Sequence, residues 1–211
     1  MTDAYAFFVS LLERGGWVML PLSLLSVVSV TLCVERAWFW IRTHRRSQRR
    51  RLSKLAEALR HDRRDEADKL VRRGGSIYER VARRLLRDGA SEGVIAEAIE
   101  LERPAIERFM TTLSTIITAA PLLGILGTVT GIIGSFQLLG ESSLVTDPRA
   151  VSGGIAEALI TTAAGLVIAI VTLFPYVVFK AQVDRALGRL EVLIAAARQS
   201  RNLDSGGSAL D

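Results

Sequence analysis

Glu157 is the one charged residue between Ala150 and Phe179, in a stretch that is otherwise mostly apolar or small. A carboxylate placed inside a membrane costs about 2.5–3.5 kcal/mol on insertion scales, so its presence points either to ion traffic or to a salt bridge or interface hydrogen bond. Thr161 and Thr162 follow it within two helical turns, and Thr128 lies in the preceding apolar stretch. No second carboxylate, histidine or lysine falls in these two stretches, so the chain alone does not provide a full proton relay. Enzyme chemistry finds no support, because no Ser/His/Asp, Cys/His or paired-carboxylate constellation occurs at this depth. The lone Cys33 and the arginine-flanked His44 and His61 do not make a metal site, and no cofactor is implied.

Small residues surround these polar ones in a regular pattern. At 100° per residue, Gly124, Gly127, Gly131 and Gly134 fall within a stripe roughly 80° wide. Gly154, Ala158, Thr161, Thr162, Gly165, Ala169 and Thr172 form a similar face one segment later, opposite Leu159, Val167, Ile170 and Val171. Small residues let helix backbones approach closely in lipid, where association depends on packing. Thr111, Thr115 and Thr118 lie on a different face, nearer the expected cytoplasmic end. A threonine hydroxyl can also bond its own i−4 carbonyl, so packing and pore lining both remain open for these faces.

The elements that carry these residues are long and uncharged. Gly15–Val34 spans twenty residues without charge, Phe109–Gly140 thirty-two and Ala158–Phe179 twenty-two. About 20 helical residues cross the hydrocarbon core of a bilayer. The expectation is an all-α membrane protein with three transmembrane helices, the second and third extended into a cytoplasmic helical domain. The first run follows Asp3, Glu13 and Arg14 rather than a basic segment and lacks a small-residue cleavage site, so it reads as a retained helix.

Charge sets the expected topology. Of 27 Lys and Arg, nineteen lie from Arg42 to Arg108 and five from Lys180 onward. The positive-inside tendency puts both segments in the cytoplasm, with the N-terminus outside. The domains that follow are a periplasmic 1–15, a first helix over 16–41, a cytoplasmic helical domain over 42–108, a second span over 109–140, a periplasmic loop over 141–153, a third span over 154–180, and a cytoplasmic helix with a disordered tail over 181–211. Arg42, Arg45, Arg46, Arg49, Arg50 and Arg51 directly follow Trp38, Phe39 and Trp40. Such a cluster attracts anionic lipid by about 1 kcal/mol per basic residue, and with spans on its flanks this reading displaces nucleic-acid binding.

Between Leu52 and Val71, apolar residues recur at helical spacing with a break near His61–Asp62, which reads as a helical hairpin. A further amphipathic helix is expected from Ser76 to Arg87, closed by Asp88-Gly89, with Ser91 as the next N-cap. Glu92–Arg108 is expected to run without a loop into the second span as one long helix, kinked at Pro104.

Two long motifs are recognisable in order. Ala120-Pro121-Leu122-Leu123-Gly124-Ile125-Leu126-Gly127-Thr128-Val129-Thr130-Gly131 and Gly154-Ile155-Ala156-Glu157-Ala158-Leu159-Ile160-Thr161-Thr162-Ala163-Ala164-Gly165 together resemble the signature helices of the MotA/TolQ/ExbB proton-channel family. The resemblance is strong over 92–180, looser over 14–42, and one of character only over 43–90. One departure is Val171, where the family often has a proline; Pro175 stands one turn later.

The resemblance implies a homopentamer around two copies of a single-span partner of the ExbD/TolR type, which brings an aspartate into a threonine-lined pore. Thr128 and Thr162 match the pore threonines and Glu157 the acid of the third helix; Thr161 lies beside them in the proton pathway. Three spans favour the ExbB/TolQ branch over the four-span MotA type. That branch lies in the inner membrane of Gram-negative bacteria and energises TonB-dependent outer-membrane transport through a TonB-type transducer, or envelope integrity and division through a TolA-type one. A non-conducting scaffold, in which glycines and threonines only pack helices, is the alternative of a different class.

Overall fold

The computed structural model describes residues 16–43, 46–61, 63–72, 74–141 and 148–207. Expectations placed on 1–15, Arg45, 142–147 and 208–211 lie outside it, as do those on the side chains of Arg46 and Arg49. Among the described residues the elements are all helices: α1 (Met19–Thr43), α2 (Arg46–Arg60), α3 (Arg64–Arg72), α4 (Ile77–Asp88), α5 (Glu92–Ile106), α6 (Met110–Glu141) and α7 (Pro148–Gly207). Three are long and apolar enough to cross a membrane, within Met19–Thr43, Met110–Gln137 and Val151–Gln199. The all-α, three-span architecture follows from the three uncharged runs. The chain divides into two compact units, Met1–Glu35 with Phe109–Val177, and Arg36–Arg108 with Val178–Asp211.

The first unit holds the membrane-depth segments. Val18, Met19 and Leu22 of α1 are buried together with Ala120 of α6, and Leu25, Leu123, Ala164 and Ile168 pack around them. The outward faces carry large apolar side chains, among them Leu122, Ile125, Phe136, Leu159 and Phe174, as a lipid or subunit environment requires. The third helix starts at Pro148, earlier than the expected 154. Proline suits a first helical turn, since its missing N–H has no intrahelical partner there.

The second unit is a set of amphipathic helices in which α2 packs on α3, α3 on α4 and α4 on α5. Leu55, Ala58, Val71, Ile77, Val81, Ala82, Leu85 and Ala98 supply their buried faces. The last part of α7 buries Val183, Ala186, Leu190, Leu193 and Ala197, an apolar stripe at helical spacing. Ser76 caps α4 by accepting from the Glu79 amide, while the Glu79 carboxylate accepts from the Ser76 amide at 2.9 Å. Ser91 caps α5 as expected, its hydroxyl accepting from the Val94 amide at 3.4 Å. Arg80 and Glu102 join α4 to α5 through two hydrogen bonds, Nε to Oε1 at 2.7 Å and Nη2 to Oε2 at 2.5 Å.

The expected unbroken helix through Pro104 is not formed. α5 ends at Ile106, and Phe109 takes a left-handed φ of 62° before α6 begins at Met110. A continuing helix would need the Ala105 and Ile106 carbonyls as acceptors for the amides of residues 109 and 110. The Arg36 guanidinium takes them instead, with Nη2 donating to Ala105 at 3.2 Å and to Ile106 at 2.8 Å. At the other end of the chain, the tail expected to lose order from Asn202 is helical in its backbone as far as Gly207. Extending an existing helix avoids the nucleation cost.

Candidate functional site

The small-residue faces bring α6 and α7 together. A Cβ built on Gly124 would lie 2.9 Å from both the Thr161 carbonyl oxygen and Thr162 Cα, and one on Gly131 would lie 2.7 Å from Ala158 Cβ. A Cβ on Gly127 would collide with the Thr161 side chain, and one on Gly165 with the Ala120 carbonyl. Only glycine admits such approach of two backbones. Gly134 differs from the rest of its stripe, since nothing lies within 4 Å of a Cβ built there.

Four hydroxyls gather where the glycines let the helices touch. Thr162 Oγ1 donates to the Gly124 carbonyl at 2.9 Å and lies 3.4 Å from Thr128 Oγ1, which itself donates to Ile125 at 2.7 Å. Thr128 and Thr162 are half-buried, so the pair faces partly outward. Thr161 is 2% exposed, and its hydroxyl is held by the Ala158 carbonyl at 2.7 Å and the Gly124 carbonyl at 3.2 Å. Thr130 donates back to Leu126 at 3.0 Å. Thr161 and Thr162 are therefore divided between two settings, one inside the helix contact and one beside Thr128.

Glu157 is half-buried and lies one turn before Thr161. It borders a cavity of about 120 Å3 whose wall includes Gly16, Trp17, Thr130, Gly131 and Thr161. Gly16 takes φ 61°, and a Cβ there would come 2.8 Å from Glu157 Oε1. The carboxylate thus sits against the turn that opens α1. Of the basic run, Arg42 lies over the Trp38 ring at 5.4 Å, Arg50 is exposed, and Arg51 approaches Glu79 at 3.8 Å.

Two relationships escaped the sequence reading. Ser29 of α1 and Thr172 of α7 share a buried hydroxyl–hydroxyl hydrogen bond of 2.5 Å. Thr172 stood out on the small face of the third span, but Ser29 is one of several serines in the first, and no periodicity singles it out. Arg36 is fully buried, its guanidinium 4.5 Å from the Phe39 ring centroid and 5.8 Å from that of Trp40. Its isolation from the basic run was the available signal.

Comparison with known proteins places most of the chain in one family. The model of the MotA/TolQ/ExbB proton channel family matches residues 50–192. The chain is similar to putative biopolymer transport protein ExbB-like 3 of Synechocystis sp., at 36% identity over 79% of this chain and 81% of that protein. It is 31% identical to biopolymer transport protein ExbB of Salmonella typhimurium over 91% of this chain and 84% of that protein. Tol-Pal system protein TolQ of Pseudomonas aeruginosa is 38% identical over 48% of this chain and 45% of its own length. The three apolar helices and these matches together mark a multi-pass inner-membrane transport protein. The chain belongs to the MotA/TolQ/ExbB proton channel family, in its ExbB/TolQ-like part.

Proposed function

We propose that this chain is the stationary subunit of a proton-driven motor, assembled as a homopentamer around a dimer of an ExbD/TolR-type single-span protein. The observation that carries the reading is the Thr162–Thr128 pair, half-buried on helices whose glycines hold them together. Hydroxyls on an outward face at membrane depth suit a pore, and the partner's aspartate supplies the titrating group this chain lacks. Glu157 and Thr161 lie beside that path. Protons moving down the membrane potential, at about 2.3 kcal/mol per charge per 100 mV, would turn the partner within the ring. The ring would stand in the inner membrane of a Gram-negative bacterium, N-terminus periplasmic and C-terminus cytoplasmic, as the distribution of Lys and Arg favours.

The output we assign is energising of TonB-dependent outer-membrane transport through a TonB-type transducer. A TolA-type transducer co-purifying with the chain would move the assignment to envelope integrity and division. The test of the motor itself is proton flux into liposomes carrying the chain with and without its co-expressed partner. Flux should need the partner and fall in Thr162→Val and Glu157→Ala. Unchanged flux in both variants would refute the pore assignment, and no flux even with the partner would leave a non-conducting scaffold, whose threonines only satisfy carbonyls.

A further inference from the structure

Within the second unit, α4 carries four arginines, Arg80, Arg83, Arg84 and Arg87, at the spacing i, i+3, i+4 and i+7. That spacing gathers them in one stripe about 100° wide, although like charges three and four residues apart oppose a helix. The stripe forms a wall of a groove of about 300 Å3 between α4 and α5, which Val81, Ala98 and Leu101 also line. Leu101 is 56% exposed, the one large apolar side chain so exposed on α2–α5 among the described residues.

The chain's own carboxylates balance this wall only in part. Arg80 is committed to Glu102, and Arg84 Nη2 donates to Glu97 at 2.8 Å. Arg87 Nε donates to the adjacent Asp88 at 2.9 Å, and exposed pairs of this kind hold each other weakly. Arg83 donates to the Val71 and Gly74 carbonyls, at 2.9 and 3.2 Å, and no carboxylate among the described residues pairs with it. Arg84 Nε is buried and donates to nothing among the described residues; Asp88 Oδ2 stands 3.8 Å from it, beyond hydrogen-bonding reach. A buried donor without an acceptor is uncommon in folded proteins and calls for one from outside.

We propose that the α4–α5 groove docks an acidic amphipathic helix of a partner protein, its carboxylates on Arg83, Arg84 and Arg87 and its apolar side chains over Leu101. Charge complementarity selects this occupant. Carboxylates one turn apart on the incoming helix are separated by the same rise of about 6 Å that separates Arg80 from Arg84 and Arg83 from Arg87 on α4. Arginine around an apolar centre is also the composition that carries binding energy in protein interfaces, and a helix laid along a groove is a recurrent way to use it. A free phosphate would satisfy the guanidinium groups and leave Leu101 uncovered. The docking holds whether or not the chain conducts protons.

The probe is a synthetic, fluorescently labelled peptide whose glutamates and leucines recur one turn apart on a single helical face. Its binding to the full chain in a non-ionic detergent is read by anisotropy, with a scrambled peptide of the same composition as control. The ordered peptide should bind at least about tenfold tighter than the scrambled one, and Arg87→Glu should weaken it by at least about tenfold. Leu101→Ser should weaken it by at least about fivefold, since an apolar anchor loses its seat. Arg72→Gln removes an exposed arginine of α3 that lies outside the groove and should leave binding unchanged. A peptide with lysine in place of each glutamate should bind Arg87→Glu more tightly than wild type, a gain that misfolding cannot produce.

Equal affinity for the ordered and scrambled peptides, or affinity indifferent to both Arg87→Glu and Leu101→Ser, would overturn the proposal. Inorganic phosphate, or vesicles of phosphatidylglycerol, binding at these arginines while the ordered peptide does not would replace it with a phosphate or lipid-surface site.

Discussion

Arg36 Nη2 donates to the Ile106 carbonyl at 2.8 Å, joining the end of α5 to a guanidinium that is 0% exposed. The last carbonyls of a helix lack intrahelical donors, and a cation there also meets the negative end of the helix dipole. Arg36→Ala should destabilise the protein by about 2–3 kcal/mol, since hydrogen bonds to charged groups are at stake and buried carbonyls lose their donor. Arg36→Lys should recover part of this, lacking the fork that spans Ala105 and Ile106. Thermal unfolding of the detergent-solubilised protein checks both, and equal stability of Arg36→Ala and wild type would refute the capping role.

Gly127 and Gly134 share a stripe in sequence but not a neighbourhood. Gly127→Ala should cost about 1–3 kcal/mol through overpacking against Thr161. Gly134→Ala meets open space in the chain and should be neutral or slightly stabilising to the helix. The comparison is a pair of melting curves, and similar losses in both would show that the glycines act through something other than the α6–α7 contact.

The Ser29–Thr172 hydrogen bond ties α1 to α7 in the first unit. A double-mutant cycle with Ser29→Ala and Thr172→Val should give a coupling of about 0.6 kcal/mol, with about 1.7 as an upper bound for such bonds in membranes. Additive losses would mean that the two hydroxyls act separately, each on its own helix.

The second unit should be sensitive to acid and insensitive to mild alkali. Its hydrogen bond to Glu102 raises the Arg80 pKa above an already high value, so its contribution is complete below the unfolded-state value and fades only at extreme alkalinity. Arg87 holds the Asp88 carboxyl below the usual range, a contribution present above the unfolded-state value and lost as pH falls through the folded one. Asp88→Asn should lower the neutral plateau slightly and flatten part of the acid limb, the two profiles converging at low pH. Melting temperatures from acid to mildly alkaline pH report this, and an unchanged acid limb would exclude Asp88 from it.

The helices themselves were legible because their signals are local. Ser76 and Ser91 precede apolar-periodic segments, and both cap the helices that follow. Gly124, Gly127, Gly131 and Gly165 marked a close approach, and the α6–α7 contact uses all four. The break after Ile106 was not legible. Pro104 announces disruption nearby, but the residue that takes the carbonyls, Arg36, is 70 positions earlier than Ile106.

By itself the sequence determined three spans, a family and a short set of polar residues, since length, charge and glycine spacing act through the chain's own periodicity. Tertiary structure alone decided how those polar residues are shared out. Thr161 and Thr162 are neighbours of the same type, yet one is buried against Gly127 beside the Glu157 cavity and the other meets Thr128. A rotation of about 100° between successive residues separates their faces, but which neighbour each face meets depends on where α1 and α6 pack.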